Sequence, residues 1–274
     1  MLEGNGIAVA VVHGVIELGK LDQNIHRIES VAEKARAEGV DILLVPSMIN
    51  GVPIFSTREI LRIRKVTETI PGRTSELIAE IANRYNMYIV VGPILERRGS
   101  KVYRSAFVVE PSMNIKSVVH QLLAPPNFGQ STMLPMITVN GINIGLFIAD
   151  DIHMPELSLL MKLVGVDLAV FYPYPQISMD KIIAVARTRA LEIRSMVVGV
   201  GCTVWKKSEE VFLLPTIVVD DDGTVVQEIT DKSMKMVKIA VERDRQRKGA
   251  ITSAQKKLLK TIAKTLIRYL RFSS

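Results

Sequence analysis

The chain has 274 residues, a formal net charge of +7, 48% hydrophobic and 5% aromatic residues, and a single cysteine. It is long enough to bury a core of Val, Ile, Leu, Met and Ala without covalent staples, and Cys202 alone excludes an intrachain disulfide and any cysteine-built metal site. No run of 18 or more apolar residues exists and no basic region opens the chain, so transmembrane and secretory readings fail and a cytoplasmic setting is expected.

In chain order, GIAVAVVHGVI is a short β-branched apolar run that reads as a buried strand. From Asn24 to Glu38, Ile25, Ile28, Val31, Ala32 and Ala35 recur at helical spacing until Gly39 stops the helix. VDILLVP is a second buried strand; residues 51–73 are irregular to helical and strongly charged; SELIAEIANRYN is a helix with Ser75 as its expected N-cap; and MYIVVGPIL is a third strand. This alternation implies crossover units about a helix-covered sheet. The pattern then changes: KVYRSAFVVEP and IKSVVHQLL read as a hairpin, followed by the buried strand GINIGLFIAD and the helix PELSLLMKLVG with Pro155 in its first turn. VDLAVFYPYP is a strand ending in a proline-rich loop, MDKIIAVARTRALEI a helix, SMVVGVGCTV a strand, and PTIVVDDDGTVVQEI a hairpin about Asp-Asp-Gly. No polar linker interrupts residues 7–230, so a single mixed α/β domain over residues 1–231 is expected, with residues 232–274 as an extension.

The order and wording of five stretches resemble the nitrilase, or carbon–nitrogen hydrolase, superfamily from about Ile7 to Glu228. They are NIHRIESVAEKARAEGVDILLVP, YIVVGPILERRGSKVYRSAFVVEPSMNIKSVVHQ, GINIGLFIADDIHMPELSLLMKLVGVDLAVF, ARTRALEIRSMVVGVG and TIVVDDDGTVVQE. The resemblance implies a four-layer α-β-β-α sandwich that associates through its helical faces into an eight-layer homodimer. It also implies hydrolysis of amides, nitriles or carbamoyl compounds, without metal or other cofactor, by a Glu-Lys-Cys triad. In that chemistry a thiolate attacks the carbon, a carboxylate relays protons and an ammonium holds the developing anion.

Carried over residue by residue, the Glu position, after Pro46, falls on Ser47. The Lys position falls on Gln121, or on His120 with a one-residue shift, and the Cys position falls on Ala149. A methyl group forms no acyl intermediate, a serine without its own base relays protons poorly, and an amide lacks the charge of an ammonium. Residues that act as a unit lose most of their rate when one is removed. The resemblance therefore implies a non-catalytic binding or scaffolding protein. The alternative is a carbon–nitrogen hydrolase whose site has moved to Ser47 or Cys202. An engineered Cys→Ala trap would have kept the Glu and the Lys.

Asp150, Asp151, His153 and Glu156 offer metal-type ligands close in sequence. The plainer reading makes Asp151 structural and Glu156 a helix N-terminal charge, with no metal, because no second ligand cluster supports one. Cys202, after a β-branched run, reads as a small core hydrophobe before it reads as a nucleophile. Arg189 and Glu192 match the family's Arg-Ala-x-Glu helix as a structural ion pair, and the YPYP run from Tyr172 is placed at the pocket rim. Arg58, Arg62, Arg64 and Lys65 form a basic run read as a solvated face. Ligand identity rests on loops at residues 47–73, 122–135 and 172–180, which carry no readable code.

Residues 232–274 hold 13 Lys/Arg and two acids, against 22 Lys/Arg and 26 Asp/Glu in residues 1–231. Within them KKLLKTIAKTLIRYLRF sets Leu258, Leu259, Ile262, Leu266, Ile267, Tyr269 and Leu270 along one helical stripe, among Lys256, Lys257, Lys260, Lys264, Arg268 and Arg271. Three partners fit such a helix: the acidic globule, its own or a dimer partner's, first; an anionic membrane surface through residues 251–274, second; and nucleic acid, with only Tyr269 and Phe272 to stack, third.

Overall fold

The computed structural model describes residues 6–54, 65–175, 178–242 and 253–272. The first apolar run forms β1 (Ile7–Glu17), and α1 (Leu21–Ala37) returns the chain to β2 (Ile42–Val45). The helix begins three residues earlier than its apolar spacing suggests because Asn24, inside its first turn, is spent on the preceding strand. Its Oδ1 accepts the Glu17 N–H at 2.8 Å and its Nδ2 donates to the Glu17 carbonyl at 3.0 Å. Gly39, at φ +71°, ends the helix in the left-handed conformation that only glycine adopts freely.

Next come α2 (Arg73–Arg84), β3 (Tyr88–Arg98), β4 (Lys101–Val109) and β5 (Ile115–His120). Ser75 is not the N-cap of α2. Gly72 holds that position, and Ser75, three residues on, accepts the Gly72 N–H at 2.9 Å through its hydroxyl. The second half of the chain supplies β6 (Met136–Val139), β7 (Ile142–Ile148), α3 (Pro155–Val164), β8 (Leu168–Tyr172) and α4 (Met179–Ile193). It continues with β9 (Met196–Gly199), β10 (Cys202–Lys206), β11 (Glu209–Leu214), β12 (Thr216–Val219), β13 (Val225–Ile229) and β14 (Lys235–Val241). A final helix, α5, spans Ser253–Phe272.

Two sheets result. The larger runs β11-β10-β1-β2-β3-β4-β5, with β14 also on β1, and the smaller runs β13-β12-β9-β8-β7-β6. Alternation along each strand divides the side chains between layers. In β1, Ala10 and Val12 face α1 and α2, whereas Val9 and Val11 face the second sheet. In β7 and β8, Ile144, Leu146, Ile148, Leu168 and Val170 fill the space between the sheets, and Phe147, Ala169 and Phe171 pack under α3 and α4. The order of layers is helix, sheet, sheet, helix: the expected α-β-β-α sandwich.

Two sequence expectations give way. SMVVGVGCTV is two strands, not one, because at Val200–Gly201 the chain leaves the small sheet (β9) and enters the large one (β10). A boundary at 231/232 also fails to match the chain. β14 pairs antiparallel with β1 from Ile7↔Val241 to His13↔Lys235, so residues 235–241 belong to the sandwich. Their alternating pattern, with one face solvated, let the lysines hide a strand.

Candidate functional site

Strand β7 stops at Ile148, and the chain turns through one 3₁₀ turn, Ala149–His153, into α3. Ala149 is buried and has φ +52°, in the left-handed region that costs a residue with a Cβ about 1 kcal/mol or more. Two residues on, Asp151 is fully buried. Its carboxylate accepts the N–H of Leu122 at 3.0 and 3.1 Å and that of Leu123 at 2.7 Å, so the turn after β7 is clamped to the segment leaving β5 in the other sheet. Burial pushes the Asp151 carboxyl up to about 6, against the pull of those amides.

Gln121, the residue after β5, is fully buried, and both ends of its amide are taken. Its Oε1 accepts from Arg104 Nη1 at 3.0 Å and its Nε2 donates to the Leu123 carbonyl at 2.8 Å. His120 has different company. Its Nδ1 lies 3.0 Å from Ser105 Oγ and 3.5 Å from Glu96 Oε2, and its ring packs on Tyr103 with centroids 4.7 Å apart. The register without a shift therefore brings Gln121, not His120, to the Arg104 and Asp151 groups.

Arg104 is the residue that sequence reasoning missed. It is 4% exposed, donates from Nε to the Ile54 carbonyl at 2.9 Å, and lies 5.1 Å over the Phe128 ring centroid. Burial lowers its pKa, with Asp150 and Asp151 opposing the shift, but a guanidinium keeps its proton. Among the described residues no carboxylate forms an ion pair with it. The signal was an alternation: Ala106 and Val108 of β4 face the space between the sheets, and Arg104 continues their row.

Ser47 is buried just past β2, after Pro46, at a turn where Met48 has φ +62° and its N–H reaches the Pro93 carbonyl at 3.2 Å. Gly92 is what lets this turn approach. A Cβ there would lie 2.5 Å from the Ser47 nitrogen, 2.6 Å from the Pro46 carbonyl carbon and 2.6 Å from Tyr172 Cε1. Tyr172 is therefore not at a rim. It is a core residue, 1% exposed, paired in register with Ile148, and its hydroxyl has no partner among the described residues. Ser47, Tyr172, Ala149, Asp151, Gln121 and Arg104 thus form a chain of neighbours where the strand ends of the two sheets meet.

The other candidates separate from this group. Cys202 is fully buried in the helix-side core of the large sheet, with Ile16, Val204 and Leu214, and burial pushes its thiol up to about 12. Asp150 bonds Tyr174, whose phenol burial pushes up to about 12, and His153, exposed, places Nε2 2.8 Å from the Tyr174 hydroxyl. Glu156 is exposed in the first turn of α3, where Pro155 is the first residue. Asp151 is spent on backbone amides, Asp150 and His153 meet only at the Tyr174 hydroxyl, and Glu156 points to solvent; among the described residues no group of three or more His, Cys, Asp or Glu could hold a metal. Arg189 Nη1 pairs with Glu192 at 2.5 Å while its Nε holds the Ile152 carbonyl at 2.7 Å, tying α4 to the turn after Ala149. Lys65 is exposed; Arg58, Arg62 and Arg64 lie outside the described residues.

A two-sheet sandwich with helices on both outer faces, and a cluster of buried polar groups at the strand ends, defines an α/β fold of the nitrilase type. The sequence profile named carbon-nitrogen hydrolase matches residues 8–250, and the chain belongs to that family. It is 25% identical over 166 residues to a nitrilase of Pyrococcus abyssi, a match covering 59% of this chain and 62% of that protein's own length. Among solved structures, a CN-hydrolase superfamily protein of Xanthomonas campestris, with an arsenic adduct in its active site, superposes with TM-score 0.74 at 16% identity over 87% of this chain and 91% of that one. Nit3 of Saccharomyces cerevisiae, a member of branch 10 of the nitrilase superfamily, gives 0.72 at 18% identity over 86% and 90%.

Proposed function

We propose that this chain is a non-catalytic member of the carbon–nitrogen hydrolase family that binds a small ligand or scaffolds a partner where its relatives hydrolyse one. The observation that carries the reading is Ala149: a buried, left-handed turn at the end of β7 whose apex bears only a methyl group. No atom there can form an acyl intermediate. Two further features agree. The Gln121 amide is committed to Arg104 and the Leu123 carbonyl, so it is not free to meet a developing anion. Cys202, the other thiol-based route, is buried, neutral and on the helix side of the large sheet.

The polar groups left facing the strand ends suit binding. Among the described residues the Arg104 guanidinium has neutral acceptors but no ion pair, and the Tyr172 phenol has no partner; an anionic or acceptor group would favour both, so a small ligand with a carboxylate or carboxamide group is the class we assign. The homodimer is part of the same reading, supported by Leu159, Leu160, Val164 and Leu191, which α3 and α4 leave exposed on their outer faces.

The decisive experiment incubates purified protein with a panel of amides, nitriles and carbamoyl compounds. The expected result is no release of ammonia above a buffer blank, together with a thermal shift from carboxylates or carboxamides that Arg104→Gln removes. Turnover abolished by Ser47→Ala would overturn the reading in favour of a relocated hydrolase.

A further inference from the structure

The last helix, α5, divides its surface into two arcs. At about 100° per residue, Leu258, Leu259 and Ile262 fall on one side and Lys256, Lys257, Lys260, Lys264 and Arg268 on the other, with Ile267 among the lysines. Helix α5 contains no acidic residue. A helix that packs on its own globule buries its apolar stripe and mixes its charges. Here Leu258 is 59% exposed and Ile262 40%, with Leu259 half-buried between them, while Lys256, Lys257, Lys260, Lys264 and Arg268 are all exposed as well. Among the described residues no carboxylate pairs with these cations. The helix still holds itself together: Thr261 Oγ1 donates to the Lys257 carbonyl and Thr265 Oγ1 to that of Thr261, each at 3.0 Å.

A protein partner would have to supply an apolar groove flanked by a one-sided run of carboxylates. An anionic lipid surface offers both at once, acyl chains below and phosphates at the level of the lysines. The geometry therefore points to a peripheral membrane contact. We propose that α5 lies in the plane of an anionic lipid surface, its leucine and isoleucine arc sunk at the headgroup boundary and its lysine arc on the phosphates. No described helix is long and apolar enough to cross a bilayer, so the contact is reversible and salt-sensitive. It is independent of what the Ala149 cluster does, because it uses none of those residues.

Flotation of the full chain with vesicles tests this. Vesicles of equal parts phosphatidylglycerol and phosphatidylcholine should carry the protein, and pure phosphatidylcholine vesicles should not. Replacing Lys256, Lys257 and Lys260 with Gln should weaken partitioning by about a hundredfold, since each cation near such a surface contributes roughly a factor of several. Leu258→Gln with Ile262→Gln should weaken it too, with the thermal transition of the body unchanged. No flotation with the anionic vesicles, or flotation unaltered by both sets of substitutions, overturns the proposal. So does a chain lacking residues 251–274 that sediments at a lower oligomeric mass, because α5 would then be covering a second copy.

Discussion

At the end of β7 the chain builds a strained, buried turn with polar groups gathered round it and only the Ala149 methyl at the apex. At the start of β10 it has the opposite: Cys202, a real thiol, packed with Ile16, Val204 and Leu214, where burial raises its pKa. The first position has surroundings without an atom, and the second an atom without surroundings. A reactive thiol needs both, because a thiolate forms only where charge or dipoles stabilise it. What the Ala149 turn has kept is bonding that owes nothing to reactivity: Asp151 on two backbone amides and Arg189 on the Ile152 carbonyl.

The largest expected effect tests the Cys202 half of this contrast. With its thiol pushed up to about 12 from an ordinary 9, native protein should react with iodoacetamide about a thousandfold more slowly than unfolded protein. Labelling within a factor of ten of the unfolded rate breaks the contrast. Next is Asp151→Ala, which strips the acceptor from the Leu122 and Leu123 amides and should cost about 3 kcal/mol in urea unfolding. Asp151 also carries a pH signature. Its folded pKa is raised, so between about pH 4 and 6 the native state holds a proton that the unfolded state has released, and stability falls as pH rises through that window. Asp151→Asn removes the slope, and the variant should gain on wild type by up to about 3 kcal/mol from pH 4 to pH 7.

Arg104→Gln is third, at about 2 kcal/mol destabilising, because the Ile54 and Gln121 acceptors lose a charged donor. The smallest is Ala149→Gly. Glycine occupies the left-handed region without penalty, so chemical denaturation should find the variant as stable as wild type or up to about 1 kcal/mol more so. A loss of more than about 1 kcal/mol would mean that the methyl group packs, and that the turn is filled core with no room for a ligand.

Much of this layout is legible in the residues, for identifiable reasons. Strand and helix order follows from periodicity, and the α-β-β-α architecture from the ordered resemblance, because both are written into continuous runs. Arg104 escaped because one charged residue in KVYRSAFVV reads as a solvated position until its row-mates Ala106 and Val108 are known to face the second sheet. The crossing from β9 to β10 escaped because the apolar run is unbroken there. Only Gly201 marks it, where a Cβ would lie 2.2 Å from the Leu214 carbonyl oxygen. Tyr172 was assigned to the rim because the prolines after it suggested a surface loop, whereas the loop begins one residue later.

The pairing of β1 with β14 bears on how the protein is made. Residues 7–13 are synthesised before every other described strand, yet the strand that covers one side of them, residues 235–241, is the last described strand to be made. Throughout synthesis that flank of β1 is an open backbone edge bearing Val9 and Val11, the kind of edge that recruits other chains. A copy truncated after residue 231 would keep it open permanently, so such translation products should be sticky and quickly cleared, while a copy that includes β14 covers that flank.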